Sequence, residues 1–193
     1  MICPHCWNET TTPDIKRPLV LAPPAPVSIG FSTPKRFNPV SWLVRKFTGS
    51  TASHAFFIYH DADFDMDMVM EAHELGFRLT PFEHFKKKNQ LVAVFVPVKS
   101  IDVGLIYVAK RYLGTMYDYG GLLGEIVVML GRWLKRKWKN PLRGAQNVFC
   151  SEAVCIALQQ SPGYEDFKED PDSVDPQTLM QYFEGGLGVK SVT

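Results

Sequence analysis

The sequence predicts an α+β fold in which an antiparallel sheet packs against a helix that carries a cysteine. Residues 54–59 and 66–71 have strand composition and are joined by a short polar loop, which favours an antiparallel hairpin. Residues 91–98 form a continuous β-branched and aromatic run, typical of a central strand buried on both faces. Residues 150–158 place apolar side chains at helical spacing, so we expect a helix with one packed face.

Composition limits the number of domains and the function classes. The chain has 193 residues, of which 46% are hydrophobic, enough for one sizeable core but cramped for two. A formal net charge of +1 argues against a dedicated nucleic-acid binder. Four cysteines are too few for a disulfide scaffold and fit a reducing compartment. Neither a signal peptide nor a membrane-spanning stretch is recognisable, so we expect cytoplasmic synthesis, with the final location open.

Residues 1–26 are predicted to be a flexible head and linker, and 27–193 the folded domain. Cys3 and Cys6 form a Cys-x-x-Cys motif that could be half of a zinc site, a redox dithiol or part of a disordered head. Five prolines between residues 13 and 26 then predict a semi-rigid linker. We expect no cofactor and no metal, with Cys3 and Cys6 as the zinc candidates if the head binds one.

The elements before the long apolar strand follow from local patterns. Residues 27–32 alternate with period two and predict a first strand. Asn38, followed by proline, predicts the cap of an amphipathic helix that Gly49 ends. Residues 77–80 predict a third strand. Residues 81–88 predict a short helix or loop that ends in a solvated run of three lysines.

Three further segments lie in the second half of the chain. Asp102 is predicted to cap a helix that stops at Gly114, and Asp175, followed by proline, to cap the last helix. Between them, a segment from Leu122 to Lys139 is first apolar and then basic with interleaved tryptophans. This pattern predicts an amphipathic helix that meets an anionic membrane surface or an acyl-bearing substrate. The alternative is a helix packed on the core with a solvated basic end.

The hairpin predicts a contact between a histidine and a carboxylate. If its loop is centred near Ala62 and Asp63, His54 lies opposite or nearly opposite Glu71, and opposed residues have Cβ atoms about 5 Å apart. A carboxylate beside an imidazole orients the ring and stabilises its protonated form. The alternative interpretation is an ordinary cross-strand pair at a sheet edge.

Cys150 lies in the first turn of its predicted helix. There the positive end of the helix dipole and unpaired N–H groups favour the thiolate and lower the thiol pKa below its free value of about 8.5. A thiolate of this kind can act as a nucleophile. The alternative, which is more common for a lone cysteine, is a small buried hydrophobic residue. Cys155 lies on another part of the helix and is predicted to be structural.

The order of these features resembles a known family. A histidine strand, a hairpin glutamate, a mostly β middle and a helix-opening cysteine occur in this order in the circularly permuted papain-like amidases of the YiiX type. These belong to the NlpC superfamily, and lecithin–retinol acyltransferase is a more distant relative. In unpermuted relatives the cysteine helix comes first. The resemblance covers about residues 27–183 and is carried by short motifs: 48–54, 69–72 with Gly76, Tyr117-Asp118 and Phe149-Cys150-Ser151-Glu152.

This resemblance implies a circularly permuted papain-like fold and a cysteine amidohydrolase or endopeptidase. Cys150 is then the nucleophile, His54 the general base and Glu71 the third member, and an acyl-enzyme forms on Cys150. N–H groups at the helix start are candidate oxyanion donors. The implied substrate is a peptide, foremost that of peptidoglycan, or an acyl lipid.

Three alternatives stay open at this point. The first is a lipid acyltransferase or thioesterase of the same fold. The second is a structural or binding module without turnover, for example in a phage particle, and the third is a zinc-dependent interaction protein built on Cys3 and Cys6. The oligomeric state is open.

Overall fold

A computed structural model describes residues 26–73, 76–115 and 148–191. The strands in these residues are β1 (Ser28–Pro34), β2 (His54–Asp61), β3 (Met66–His73), β4 (Gly76–Pro81), β5 (Asn89–Pro97) and β6 (Gly188–Lys190). The helices are α1 (Pro39–Thr48), α2 (Phe82–Lys88), α3 (Asp102–Tyr112), α4 (Cys150–Gln159) and α5 (Pro176–Tyr182), which continues into a π-helical turn, Phe183–Leu187. No helix in these residues is long and apolar enough to cross a bilayer.

The strands form one sheet in the order β4-β3-β2-β1-β5-β6, and every neighbouring pair is antiparallel. Helices α3 and α4 pack on one face of this sheet, where Phe57 and Phe95 join the main core. Helix α2 covers the other face through Phe85, which packs with Phe56 and Val69. The predicted α+β class, the antiparallel sheet and the packing of the Cys150 helix against it are therefore confirmed.

Helix α3 approaches α4 closely because it has a glycine at the crossing point. A Cβ atom added to Gly104 would lie 1.9 Å from the carbonyl oxygen of Ala157 in α4. The N–H of Gly104 also donates to the hydroxyl of Ser161, at 3.2 Å. The position of α4, and therefore of its first residue Cys150, depends on this contact.

The helix boundaries follow the predicted caps, with one correction. Asn38 accepts the N–H of Ser41 at 3.0 Å, and Asp175 accepts that of Thr178 at 2.9 Å. Asp102, however, is the first residue inside α3 and not its cap. Its carboxylate instead accepts a hydrogen bond from the hydroxyl of Ser100, with an Oγ–Oδ2 distance of 2.7 Å.

The predicted position of the long apolar strand was wrong in one respect. Strand β5 lies second from an edge of the sheet, while β2 and β1 occupy the centre. Its faces are both buried only from Ala93 to Phe95. Among the described strands, four lie on one side of β5, and only the three-residue strand β6 pairs with its other side, so one short strand separates β5 from the edge.

Several predictions concern parts of the chain outside the described residues. These are the zinc candidates Cys3 and Cys6, the Tyr117-Asp118 motif and the segment 122–139.

Candidate active site

The β2–β3 hairpin brings His54 to Glu71. Nε2 of His54 lies 2.9 Å from Oε2 of Glu71. Phe57 pairs with Met70, so in this register Glu71 faces Phe56 and reaches His54 diagonally. The turn is centred one residue later than the sequence suggested, but an offset of two residues keeps both side chains on the same face of the sheet.

The second oxygen of Glu71 is held by two residues that sequence reasoning missed. Oε1 accepts from Nε and Nη2 of Arg78 at 3.1 and 2.9 Å and from the hydroxyl of Thr80 at 3.4 Å. Arg78 faces Glu71 directly across β3 and β4. The sequence of residues 73–76 predicts a turn and could have indicated this pair, since strands joined by a short turn are antiparallel neighbours.

Glu71 is an ionised carboxylate despite its burial. Its side chain is only 2% exposed, and burial alone would raise its pKa. The hydrogen bonds and positive charges of His54 and Arg78 outweigh that penalty and lower the pKa of Glu71 to about 2. A fixed negative charge therefore lies beside the histidine at neutral pH.

Cys150 is the first residue of α4 and lies against His54. Burial opposes ionisation of the thiol, but the hydrogen bond and charge of His54 bring its pKa below the ordinary value. The backbone N–H groups of Ala55 and Ser151 act in the same direction. These contacts favour a thiolate at Cys150.

The pKa of His54 is raised at the same time. Burial alone would lower it, but hydrogen bonds to Cys150 and Glu71 and the charges of both groups raise it to about 10. The raised pKa of His54 and the lowered pKa of Cys150 are consistent with each other, because each ionised group stabilises the other. Both shifts favour a thiolate at Cys150 facing an imidazolium at His54.

Contacts at the ring nitrogens and stacking on the ring faces both orient the imidazole of His54. Because Nε2 faces Glu71, Nδ1 is the nitrogen left for the thiol of Cys150. The ring also stacks with Phe56 and Phe85, at centroid distances of 5.8 and 6.3 Å. Both phenylalanines are fully buried and limit rotation of the imidazole.

The start of α4 is anchored by polar contacts. The N–H of Phe149 donates to Oε2 of Glu152 at 3.0 Å, and the hydroxyl of Ser151 donates to the carbonyl of Val174 at 2.7 Å. Further along the helix, Cys155 is fully buried. Burial and the charges of nearby carboxylates raise its pKa to about 12, which agrees with a structural role.

These side chains line a cavity of about 710 Å³. His54, Glu71 and Cys150 all contribute to its wall, so the predicted site residues come together at one accessible place. In the described parts of the chain, no group of three or more histidine, cysteine, aspartate or glutamate side chains could hold a metal ion. The cavity wall brings together the types of group that acyl transfer uses: a cysteine, a histidine beside it and a carboxylate that orients the ring.

No protein-family model fits this sequence, and no curated protein is significantly similar to it. The assignment to permuted papain-like amidases therefore stays a prediction.

Proposed function

We propose that this protein is a cysteine hydrolase of the amidase or endopeptidase type, built on a circularly permuted papain-like fold. The observation that carries the proposal is the chain of contacts from Cys150 to His54 to the buried carboxylate of Glu71. A structural cysteine needs neither a protonated histidine nor a buried carboxylate that orients the ring. Activated cysteine nucleophiles need the histidine, and a third group commonly orients it.

In the first half-reaction the thiolate of Cys150 attacks the carbonyl carbon of an amide or ester. The C–S bond forms as the carbonyl π electrons move to oxygen. The electron pair on oxygen then re-forms the carbonyl, the C–N or C–O bond breaks, and the leaving nitrogen or oxygen takes the proton of the His54 imidazolium. An amine or alcohol departs, and a thioester on Cys150 remains.

In the second half-reaction His54, now neutral, takes a proton from water. The hydroxide attacks the thioester carbon, the C–S bond breaks, and the electron pair returns to the sulfur of Cys150. A carboxylic acid is released and the ion pair is restored. Glu71 keeps its charge throughout, since its role is to hold the imidazole and stabilise its protonated form.

The start of α4 also supports oxyanion stabilisation. The first N–H groups of a helix have no intrahelical acceptor and point outward from its N-terminus. The N–H of Ser151 already contacts the Cys150 thiolate, so donors of this kind lie next to the reacting sulfur. They are suited to stabilise the negative oxygen that forms when the thiolate attacks a carbonyl.

Two substrate classes fit this chemistry. The first is a peptide amide, foremost that of peptidoglycan. The second is an acyl lipid, whose acyl group is passed to an acceptor other than water or released from a thioester. A specific feature favours this second candidate: apolar side chains make up much of the cavity wall, among them Phe37, Val40, Val44, Phe149 and Val174.

Mass spectrometry of the intact protein tests the proposal. The protein is incubated separately with peptidoglycan peptides, peptide amides, acyl esters and acyl lipids, and acid-quenched at short times. We expect an acyl mass on the tryptic peptide that contains Cys150, and none in Cys150→Ser, whose hydroxyl has no comparable anion at neutral pH. Absence of an adduct and of product with every substrate would favour the binding-module interpretation.

A further inference from the structure

The cavity wall carries four cations that the proposed chemistry does not use. Lys35 and Arg36 follow β1, and Lys87 and Lys88 end α2. The two segments are joined, since the N–H of Lys35 donates to the carbonyl of Lys88 at 2.9 Å. We call these four residues the cationic rim.

The carboxylates of the same wall contact groups other than the rim. Glu71 is held by Arg78 and His54, and Glu152 and Asp175 accept backbone N–H groups at the starts of α4 and α5. Among the described residues, no ion pair involves any member of the rim. The neighbouring Lys86, by contrast, is paired with Glu83 at 2.6 Å and does not line the cavity.

The rest of the wall has a different character. Phe37 follows Arg36 in the chain, and 80% of its surface is exposed. A large aromatic side chain therefore lies in solvent at the mouth of the cavity. Val40, Val44 and Phe85 continue the apolar surface inward, and Phe149 precedes Cys150. A ligand that uses the whole wall needs an apolar part and an anionic part.

We propose that the site takes acyl substrates that carry an anionic headgroup, with the acyl chain against the apolar wall and the headgroup on the cationic rim. This inference rests on the proposed function, because it assumes that the scissile carbonyl lies at Cys150. Arginine and lysine are the usual donors to phosphate and carboxylate oxygens, and several cations that converge on one cavity attract an anion before it binds. A neutral amphiphile leaves the rim unused, and a chain-free acidic peptide leaves the apolar wall unused.

Ligand binding to the Cys150→Ser protein tests the inference without turnover. Titration calorimetry is run with monomeric dodecyl phosphate, with laurate as the carboxylate counterpart, with dodecyl maltoside as the neutral counterpart and with tetraglutamate as the chain-free anion. We expect one or both anionic amphiphiles to bind more tightly than dodecyl maltoside and tetraglutamate. The order of dodecyl phosphate and laurate then identifies the headgroup.

A pair of charge variants locates the effect. Lys87→Gln with Lys88→Gln should weaken binding of the anionic amphiphile roughly two- to thirtyfold, as expected for the loss of two partly exposed charge contacts. Lys110→Gln with Lys190→Gln also removes two exposed lysines, but from outside the cavity, and should change binding less than twofold. Equal weakening in both double variants would overturn the inference, because it would reduce the effect to net charge.

The remaining outcomes separate the inference from the function on which it rests. If dodecyl maltoside binds as tightly as the anionic amphiphiles, or tetraglutamate does, the inference is wrong even when p-nitrophenyl acetate is hydrolysed through Cys150. If that hydrolysis is unchanged by Cys150→Ser, the proposed function is wrong. A preference for anionic amphiphiles in the binding assay would then still establish the anionic site.

Discussion

Arg78 and Glu71 face each other across β3 and β4, and the guanidinium donates twice to the carboxylate oxygen that His54 does not use. Each oxygen of Glu71 therefore has its own cationic partner. The carboxylate stays charged in a buried position because of this division. Arg78 thus acts on the cysteine indirectly, through Glu71 and His54, and is a positioning residue.

The first prediction concerns this indirect role. Arg78→Gln removes the two guanidinium donors that hold Oε1 of Glu71, so the carboxylate is no longer fixed beside His54. The imidazolium of His54 then loses its oriented partner, and the pKa of Cys150 rises. The pH profile of iodoacetamide labelling at Cys150 should therefore move to higher pH. A merely structural role would lower stability without moving this profile.

Arg78→Lys is the matched control. It keeps the positive charge but loses the planar two-donor geometry, so its profile should lie between those of the wild type and Arg78→Gln. We also expect Arg78→Gln to cost about 1–3 kcal/mol of unfolding free energy in urea, as for a lost hydrogen-bonded pair with a charged group. An unchanged labelling profile in Arg78→Gln would show that the guanidinium does not act on the site.

The second prediction follows from the lowered pKa of Glu71. The folded-state pKa is about 2, against about 4.3 in an unfolded chain. Its contribution to stability is therefore complete above the unfolded pKa and is lost as pH falls from about 5 towards 2. His54 is protonated in both states at these pH values and adds no slope.

Urea unfolding of the wild type and Glu71→Gln between pH 3 and pH 6 measures this contribution. The stability difference between the two proteins should shrink as pH falls, since glutamine does not titrate. A stability difference that stays constant across the range would contradict the low pKa of Glu71.

Much of the site could be predicted because its signals are local. Period-two patterns on both sides of a short loop predict the hairpin. The predicted register was off by a small shift, but a hairpin with either register places His54 near Glu71. Helical spacing gives α4, and a residue in its first turn feels the helix dipole. Neither inference requires knowledge of distant parts of the chain.

The missed residues depend on non-local packing. Phe85 stacks on His54 only because α2 folds back over one face of the sheet. Lys87 and Lys88 are exposed, as the solvated lysine run predicted, but the sequence did not show that they line the cavity, which also follows from the position of α2. Strand β5 was expected at the centre because its apolar run indicates burial, but its place in the sheet depends on which strands pair on each side, and β1 to β4 all lie on one side of it.

The third prediction concerns the contact that positions α4. Gly104→Ala places a methyl group against the carbonyl of Ala157, so α3 and α4 must move apart. We expect a loss of about 1–3 kcal/mol in thermal or urea unfolding, typical of overpacking. Labelling at Cys150 should also slow, because α4 shifts relative to His54.

Gly185→Ala is the control for this substitution, since nothing lies within 4 Å of a Cβ added there. It should leave both stability and labelling close to those of the wild type. Equal stability of the Gly104→Ala and Gly185→Ala proteins would show that the two helices can separate without cost.

The last prediction concerns the reactivity of Cys150 itself. The thiolate is the species that reacts with iodoacetamide, so a lowered pKa makes a cysteine react at a pH where ordinary thiols are protonated. The pKa of Cys150 is lowered and that of Cys155 is raised to about 12. Peptide-level mass spectrometry near pH 7 should therefore find Cys150 alkylated well before Cys155.

Variants of His54 and Glu71 test whether the labelling of Cys150 depends on these two side chains. His54→Ala removes the cationic partner, so labelling of Cys150 at pH 7 should slow, while higher pH should restore it. Glu71→Gln should have a smaller effect, because the histidine can still become protonated beside the thiolate. Labelling that is equal at Cys150 and Cys155 and unaffected by His54→Ala would leave Cys150 as a core residue. The binding-module interpretation would then replace the proposed hydrolase.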